Sequence, residues 1–334
     1  AAGVKLNPEK TANQNCAYLE EYIKNGIGVG INFNNFTNPT DRIKQINNYF
    51  KFRQPQSLRA PAGIALSSIN HPKIMDFIKL KDNEKYSDWC FDLSVIVDDN
   101  FLNKVDNNEN ITMQDGSIKN AKEIYNQLLN SMLKTGEPGI IFSNNENYIC
   151  DCCNAVELKE NEKMTITQIN LAKFYNPKTN RVDCDYLKYV SDLLAHATRN
   201  IDKNGYIGIL GYQELLNKLN LKYGTNAANQ VLEDCLKIIK LTNIKLALSP
   251  TGTTSRILKT TPSIEPDKNN NLTYQQELDT LATAQKYIDG NISKTINLKS
   301  NATIKDVDNI IRYSKSHNIK GITVFPENQN SIKH

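Results

Sequence analysis

The chain has 334 residues, 39% of them apolar, and 40 basic against 36 acidic side chains give a formal charge of +4. That length allows one large domain or two ordinary ones, with ample core. The charge is mild and dispersed, which argues against a nucleic-acid partner, and no apolar run approaches the ~18 residues of a membrane span.

The first residues, Ala1-Ala2-Gly3-Val4-Lys5, lack the apolar centre of a secretion signal. Seven cysteines, an odd number unevenly spread, suit free thiols in a reducing compartment better than a disulfide framework. The expectation is therefore a cytoplasmic protein. Residues 1–25 open with turn-like text before Asn15-Cys16-Ala17-Tyr18-Leu19, and Gly26–Phe33 follows as a short apolar strand whose glycines allow close packing. Apolar spacing predicts a helix over 41–52, a strand over Pro61–Leu66, and a helix through Phe77-Ile78 with His71 as a structural cap near its start. Cys90–Val97 reads as a strand, 104–118 as a polar surface loop, Ala121–Lys134 as an amphipathic helix and Gly139–Phe142 as a strand. Beyond the centre come a strand at Thr167–Leu171, a helix at Tyr186–Ile201, and a strand from Tyr206 turning into a helix. Helices at Asn226–Leu241, near Gln275–Ile288 and at Ile304–Ser316 alternate with strand text at 245–248, 292–298 and 321–325. Short strands alternating with helices predict an α/β fold with parallel strands, and no linker divides it.

Two stretches could carry chemistry. Cys150-Asp151-Cys152-Cys153 puts three thiols within four residues, open to reading as a metal half-site, a redox pair, or one reactive cysteine with bystanders. The spacing is too crowded for CxxC half-sites and no second half follows, so no metal is expected. Pro250-Thr251-Gly252-Thr253-Thr254-Ser255 follows an apolar strand with a glycine and several hydroxyls, either an ordinary Ser/Thr turn or an anion cradle.

The text around these stretches resembles the large, catalytic subunit of ribonucleotide reductases, closest to the adenosylcobalamin-dependent class and much shortened. Gly136-Glu137-Pro138-Gly139-Ile140-Ile141-Phe142 is similar to that family's Gly-x-Pro-Gly-Ile-Ile-Phe strand, which leads to its Asn-x-Cys-x-Glu loop. Gly26–Phe33 resembles its Gly-Gly-x-Gly-x-Asn-Phe segment. Pro250–Ser255, then Pro262-Ser263-Ile264-Glu265-Pro266 and Ser293-Lys294-Thr295-Ile296-Asn297-Leu298, resemble an ordered set in the same subunit.

The resemblance implies a ten-stranded α/β barrel, a single catalytic barrel domain over 1–334 with a central cysteine finger loop at about 143–166. It places Cys153 at the radical cysteine, whose thiyl form abstracts the ribose 3′-hydrogen, Asp151 at a ribose contact, and Cys16 at the first redox cysteine. Substrate phosphates fall to Thr251, Gly252, Thr253, Thr254 and Ser255. Two positions depart: Ala155 stands where the family has a proton-accepting glutamate, and Met164 where it has the second redox cysteine. Glu157 substitutes as base if the loop bulges by two residues. The strand Gly321–Pro326 lacks the tyrosine pair of the iron-dependent class, so the resemblance implies adenosylcobalamin as cofactor. It also implies an external thiol or formate as reductant, a thioredoxin-like reducing partner, and a ribonucleoside di- or triphosphate as substrate. The alternatives are a different nucleotide reaction on the same barrel, or a non-catalytic nucleotide-binding relative.

Overall fold

The computed structural model describes residues 1–57, 59–267 and 272–327. The chain gathers into two compact units, one of Ala1–Lys163 with Asn297–Arg312 and the chain from Lys320, the other of Met164–Ile296 with Tyr313–Ile319. The first opens with β1 (Ala2–Val4), α1 (Ala12–Lys24), β2 (Val29–Asn32), α2 (Pro39–Arg53), β3 (Gly63–Ser68), α3 (Ile74–Ile78) and β4 (Phe91–Val97). It continues with α4 (Phe101–Asp106), a hairpin of β5 (Asn110–Thr112) and β6 (Ile118–Asn120), α5 (Ala121–Thr135) and β7 (Gly139–Phe142). The second holds β8 (Ile166–Asn170), a small hairpin of β9 (Tyr175–Asn176) and β10 (Arg181–Val182), α6 (Cys184–Ile201), β11 (Tyr206–Leu210) and α7 (Tyr212–Leu219). Then come α8 (Asn226–Lys240), β12 (Lys245–Leu246), α9 (Gly252–Leu258) and α10 (Tyr274–Gln285), and the chain ends with β13 (Thr295–Leu298), α11 (Ile304–Ser316) and β14 (Gly321–Pro326).

In the first unit β1, β2, β3, β4 and β7 pair in parallel in that order, and β14 lies antiparallel on β7. All six residues of β3 are buried, as expected of a parallel strand covered on both faces. The second unit has β8, β11 and β12 in parallel. The α/β class with parallel strands is therefore present. The ten-stranded closed form is not displayed: the strands make a seven-stranded and a three-stranded sheet, and among the described residues neither closes on itself.

Two local expectations change. The turn-like text that opens residues 1–25 runs into helix α1 by Ala12, because Thr11 and Gln14 form a reciprocal capping box that satisfies its first amides. The polar stretch 104–118 is more ordered than a surface loop, taking in the end of α4 and most of the β5–β6 hairpin. Ile111 and Met113 fix it by burying their side chains.

Candidate active site

The residues after β7 fold into a short hairpin. Leu158 N–H donates to Ile149 C=O at 2.8 Å, Asp151 N–H to Val156 C=O at 3.1 Å, and Cys150 pairs antiparallel with Glu157. One carboxylate shapes its tip. Asp151 Oδ1 accepts from the N–H groups of Ala155 (2.6 Å) and Val156 (2.8 Å), and Oδ2 accepts from Cys153 N–H (3.2 Å). A short acceptor side chain that captures nearby backbone donors substitutes for ladder hydrogen bonds and closes the turn. Asn154 takes the left-handed conformation there (φ 54°), and its Oδ1 accepts from the Tyr148 hydroxyl at 2.9 Å.

Glycine-bearing β2 receives this hairpin. A Cβ on Gly30 would stand 2.0 Å from Cys150 O, and one on Gly28 would stand 2.4 Å from Cys152 Sγ. The glycines thus act as a bare backbone against which the cysteine tip packs, a use beyond strand-to-strand packing. Asn32 Nδ2 donates to the carbonyls of Glu146 (2.8 Å) and Tyr148 (2.9 Å), tying the hairpin's base to the end of β2.

At the tip Cys152 and Cys153 are half-buried, with their sulfurs 3.5 Å apart. The neighbouring Cys152 thiol and then burial push the Cys153 thiol well above the ordinary range, so it carries its hydrogen at neutral pH. Burial also raises Asp151, against the pull of its three N–H donors. Asp151, Cys152 and Cys153 bring one carboxylate and two thiols within 4.8 Å, a set that could hold an ion. Ligation would require both thiols to lose protons and would compete for a carboxylate already committed to the turn.

The other expected residues are placed as follows. Cys16 lies on the buried side of α1; burial raises its thiol to about 11, and Arg42 is the charged group that bears on it. Glu157 is exposed, and its Oε1 accepts from Asn145 Nδ2 at 3.3 Å. Ala155 is fully buried.

The second unit carries the Pro250–Ser255 turn. Thr251 has φ 39°, a left-handed conformation that is costly for a β-branched residue, and its buried Oγ1 has no hydrogen-bond partner. Ser255 is buried and donates from Oγ to Gly252 C=O at 3.1 Å, while Gly252, Thr253 and Thr254 are exposed. The turn therefore sets a strained residue with an orphaned hydroxyl beside two exposed hydroxyls.

The ribonucleotide reductase barrel-domain family model matches residues 15–246 and 268–325 of this chain. The chain belongs to that family. It is 24% identical to a vitamin B12-dependent ribonucleoside-diphosphate reductase of Thermoplasma acidophilum, over 82% of this chain and 52% of the relative. A Mycobacterium tuberculosis protein of the same name is 23% identical over 80% of this chain and 56% of its own length. The chain thus spans about half the length of the curated relatives it matches.

Several residues of this chain escape sequence reasoning. Asp92 at the start of β4 is exposed, and its charge reaches Cys153. In the second unit Lys294 is buried and bridges Glu265 (2.8 Å) and Glu277 (2.7 Å), joining two of the family-like motifs. Gln168 lies opposite Gly208 in register, and both polar atoms of its amide are buried without partners. Lys81 and Glu137 form a buried ion pair at 2.7 Å, and Glu137 also accepts from Leu93 N–H at 2.8 Å, so the Gly136–Phe142 motif anchors two strands.

His71 has the structural role expected of it. Its Nδ1 accepts from Lys73 N–H at 3.0 Å and its Nε2 faces Phe36 C=O at 3.1 Å, a pattern that only the neutral ring satisfies. Burial, first, and the Lys119 charge lower its pKa below the ordinary 6.5, against opposing pulls from Phe36 and Asp115. A lowered folded-state value means that the unfolded chain binds the proton more readily. The stabilisation is therefore complete above about pH 6.5 and is lost as pH falls through the folded value. Unfolding midpoints measured from pH 7.5 to 5 should fall less steeply for His71→Gln than for the native chain.

Proposed function

We propose that this chain is the catalytic barrel of a radical ribonucleotide reductase, with Cys153 as the thiol that removes the ribose 3′-hydrogen. The observation that carries this reading is the Asp151-closed hairpin, which holds a half-buried, protonated thiol at its tip. A thiol that keeps its hydrogen suits hydrogen-atom transfer, whereas a nucleophile or metal ligand needs the thiolate. Thr251, Gly252, Thr253, Thr254 and Ser255 take the substrate's phosphates, supported by the orphaned Thr251 hydroxyl. Asp151 orients the loop with the oxygens that the family resemblance assigns to a ribose contact. The proton acceptor lost at Ala155 is Glu157 or Asp92; the charge felt at Cys153 favours Asp92.

The names of the relatives make adenosylcobalamin the cofactor of this reading. When bound it supplies the carbon radical that takes a hydrogen atom, and the protonated, partly exposed Cys153 thiol fits as the donor. The substrate is a ribonucleoside diphosphate, as in the names of the relatives, and the reductant is an external thiol or formate. No helix among the described residues is long and apolar enough to cross a membrane.

The test is anaerobic incubation with adenosylcobalamin, a dithiol or formate, and each ribonucleoside di- and triphosphate, with products read by mass spectrometry. The expected product is a deoxynucleotide. A product of another mass would assign a different nucleotide reaction, and saturable binding with no product would make the chain a binding relative.

A further inference from the structure

The family resemblance places Met164 at the second redox cysteine, and a thioether has no hydrogen to give. Cys16 sits on α1, where Arg42 is its charged neighbour, and Cys150 is fully buried in the hairpin's stem with its carbonyl against Gly30. Cys152 alone among these is shown beside the radical position, with its sulfur 3.5 Å from that of Cys153. Its place is built: Gly28 has no side chain where that sulfur lies, and any Cβ there would be 2.4 Å from it. Cys152 is also half-exposed, as a group that meets substrate must be.

We propose that Cys152 is the hydrogen donor to the ribose C2′, taking the place of the redox cysteine that this chain lacks. This rests on the function proposed above. Cys153 removes the 3′-hydrogen and later returns it, and so drops out of the balance. The C2′–O bond breaks and its oxygen leaves as water. A C2′–H bond forms with hydrogen from the Cys152 thiol. The second reducing equivalent comes from a small-molecule thiol, RSH, whose hydrogen completes the water. Cys152 and RSH together lose two electrons and two hydrogens and end as the mixed disulfide Cys152–S–S–R. The net change is one C–OH and two thiols converted to one C–H, one water and one disulfide. With Cys152 oxidised, a further external thiol exchanges the disulfide and resets the site.

The experiment is a single turnover of the full chain with adenosylcobalamin, the four common ribonucleoside diphosphates tritiated at C3′, and one equivalent of β-mercaptoethanol. It is quenched in acid and alkylated, and the cysteine peptides are mapped by mass spectrometry. The expected result is a substrate-dependent β-mercaptoethanol adduct on Cys152, one per deoxynucleotide, absent in Cys153→Ser. Cys152→Ser should still release 3′ tritium yet form deoxynucleotide at least about 100-fold more slowly. The adduct on the native chain decides the matter even if that variant fails to fold. An adduct on another cysteine, or deoxynucleotide from a folded Cys152→Ser within about threefold of native, overturns the role of Cys152 and leaves the radical reading standing. Neither deoxynucleotide nor tritium release from the native chain overturns both.

Discussion

Cys153→Ser should lose turnover by at least about 10⁴-fold, some 5–6 kcal/mol of transition-state stabilisation, while nucleotide affinity stays within about threefold. Serine preserves what the hairpin needs, because residue 153 holds the turn through its backbone N–H to Asp151 and not through its side chain. What changes is the bond to be broken. An O–H bond is much stronger than an S–H bond, so a carbon radical that can take hydrogen from a thiol cannot take it from an alcohol. The loss therefore falls on kcat, and calorimetric titration with a ribonucleoside diphosphate should show near-native binding. If Cys153→Ser turned over within about tenfold of native, the chemistry would have to be assigned elsewhere.

The contrast with Asp151 shows what residue type alone leaves out. By resemblance Asp151 is a ribose contact, yet its two oxygens accept from three amides of its own loop. That commitment depends on a turn whose register is carried by one carboxylate and a left-handed Asn154, and no hydrophobic period announces it. The same holds for Gly28 and Gly30. Their spacing reads as strand packing, but the partner is a hairpin more than a hundred residues away in sequence.

Legibility followed burial. The strands β3, β4 and β7 were readable because buried parallel strands carry near-continuous apolar text. Helix α5 was readable from its periodic apolar face, which buries Ile124, Tyr125, Leu128, Leu129 and Met132. Helix α1 was harder to see because its signal lies in the Thr11–Gln14 cap and less in its period. Sheet closure has no local signature, since it depends on how strands distant in sequence hydrogen-bond. The Pro250–Ser255 turn was legible by composition, but the orphaned Thr251 hydroxyl appears only in three dimensions.

Lys294→Met should destabilise the second unit by about 3–5 kcal/mol, on the order of a 10 °C fall in its unfolding midpoint. A lysine beside strand text reads as a surface charge, but this one is buried and its ammonium is shared by Glu265 and Glu277, 29 and 17 residues away in sequence. Burial alone would lower its pKa. Glu265, Tyr223 and Glu277 outweigh that and hold the proton above the ordinary lysine range, so the charge is present at neutral pH. Methionine fills the same length of side chain and leaves two carboxylates facing each other without their common cation. The penalty therefore comes from uncompensated buried charge and not from lost packing. That separation is testable: adding Glu277→Gln to Lys294→Met should recover a substantial part of the loss, because it removes the more deeply buried of the two carboxylates. A double variant no more stable than Lys294→Met would show that packing around the lysine stem, and not its charge, holds the motifs at Glu265 and Lys294 together.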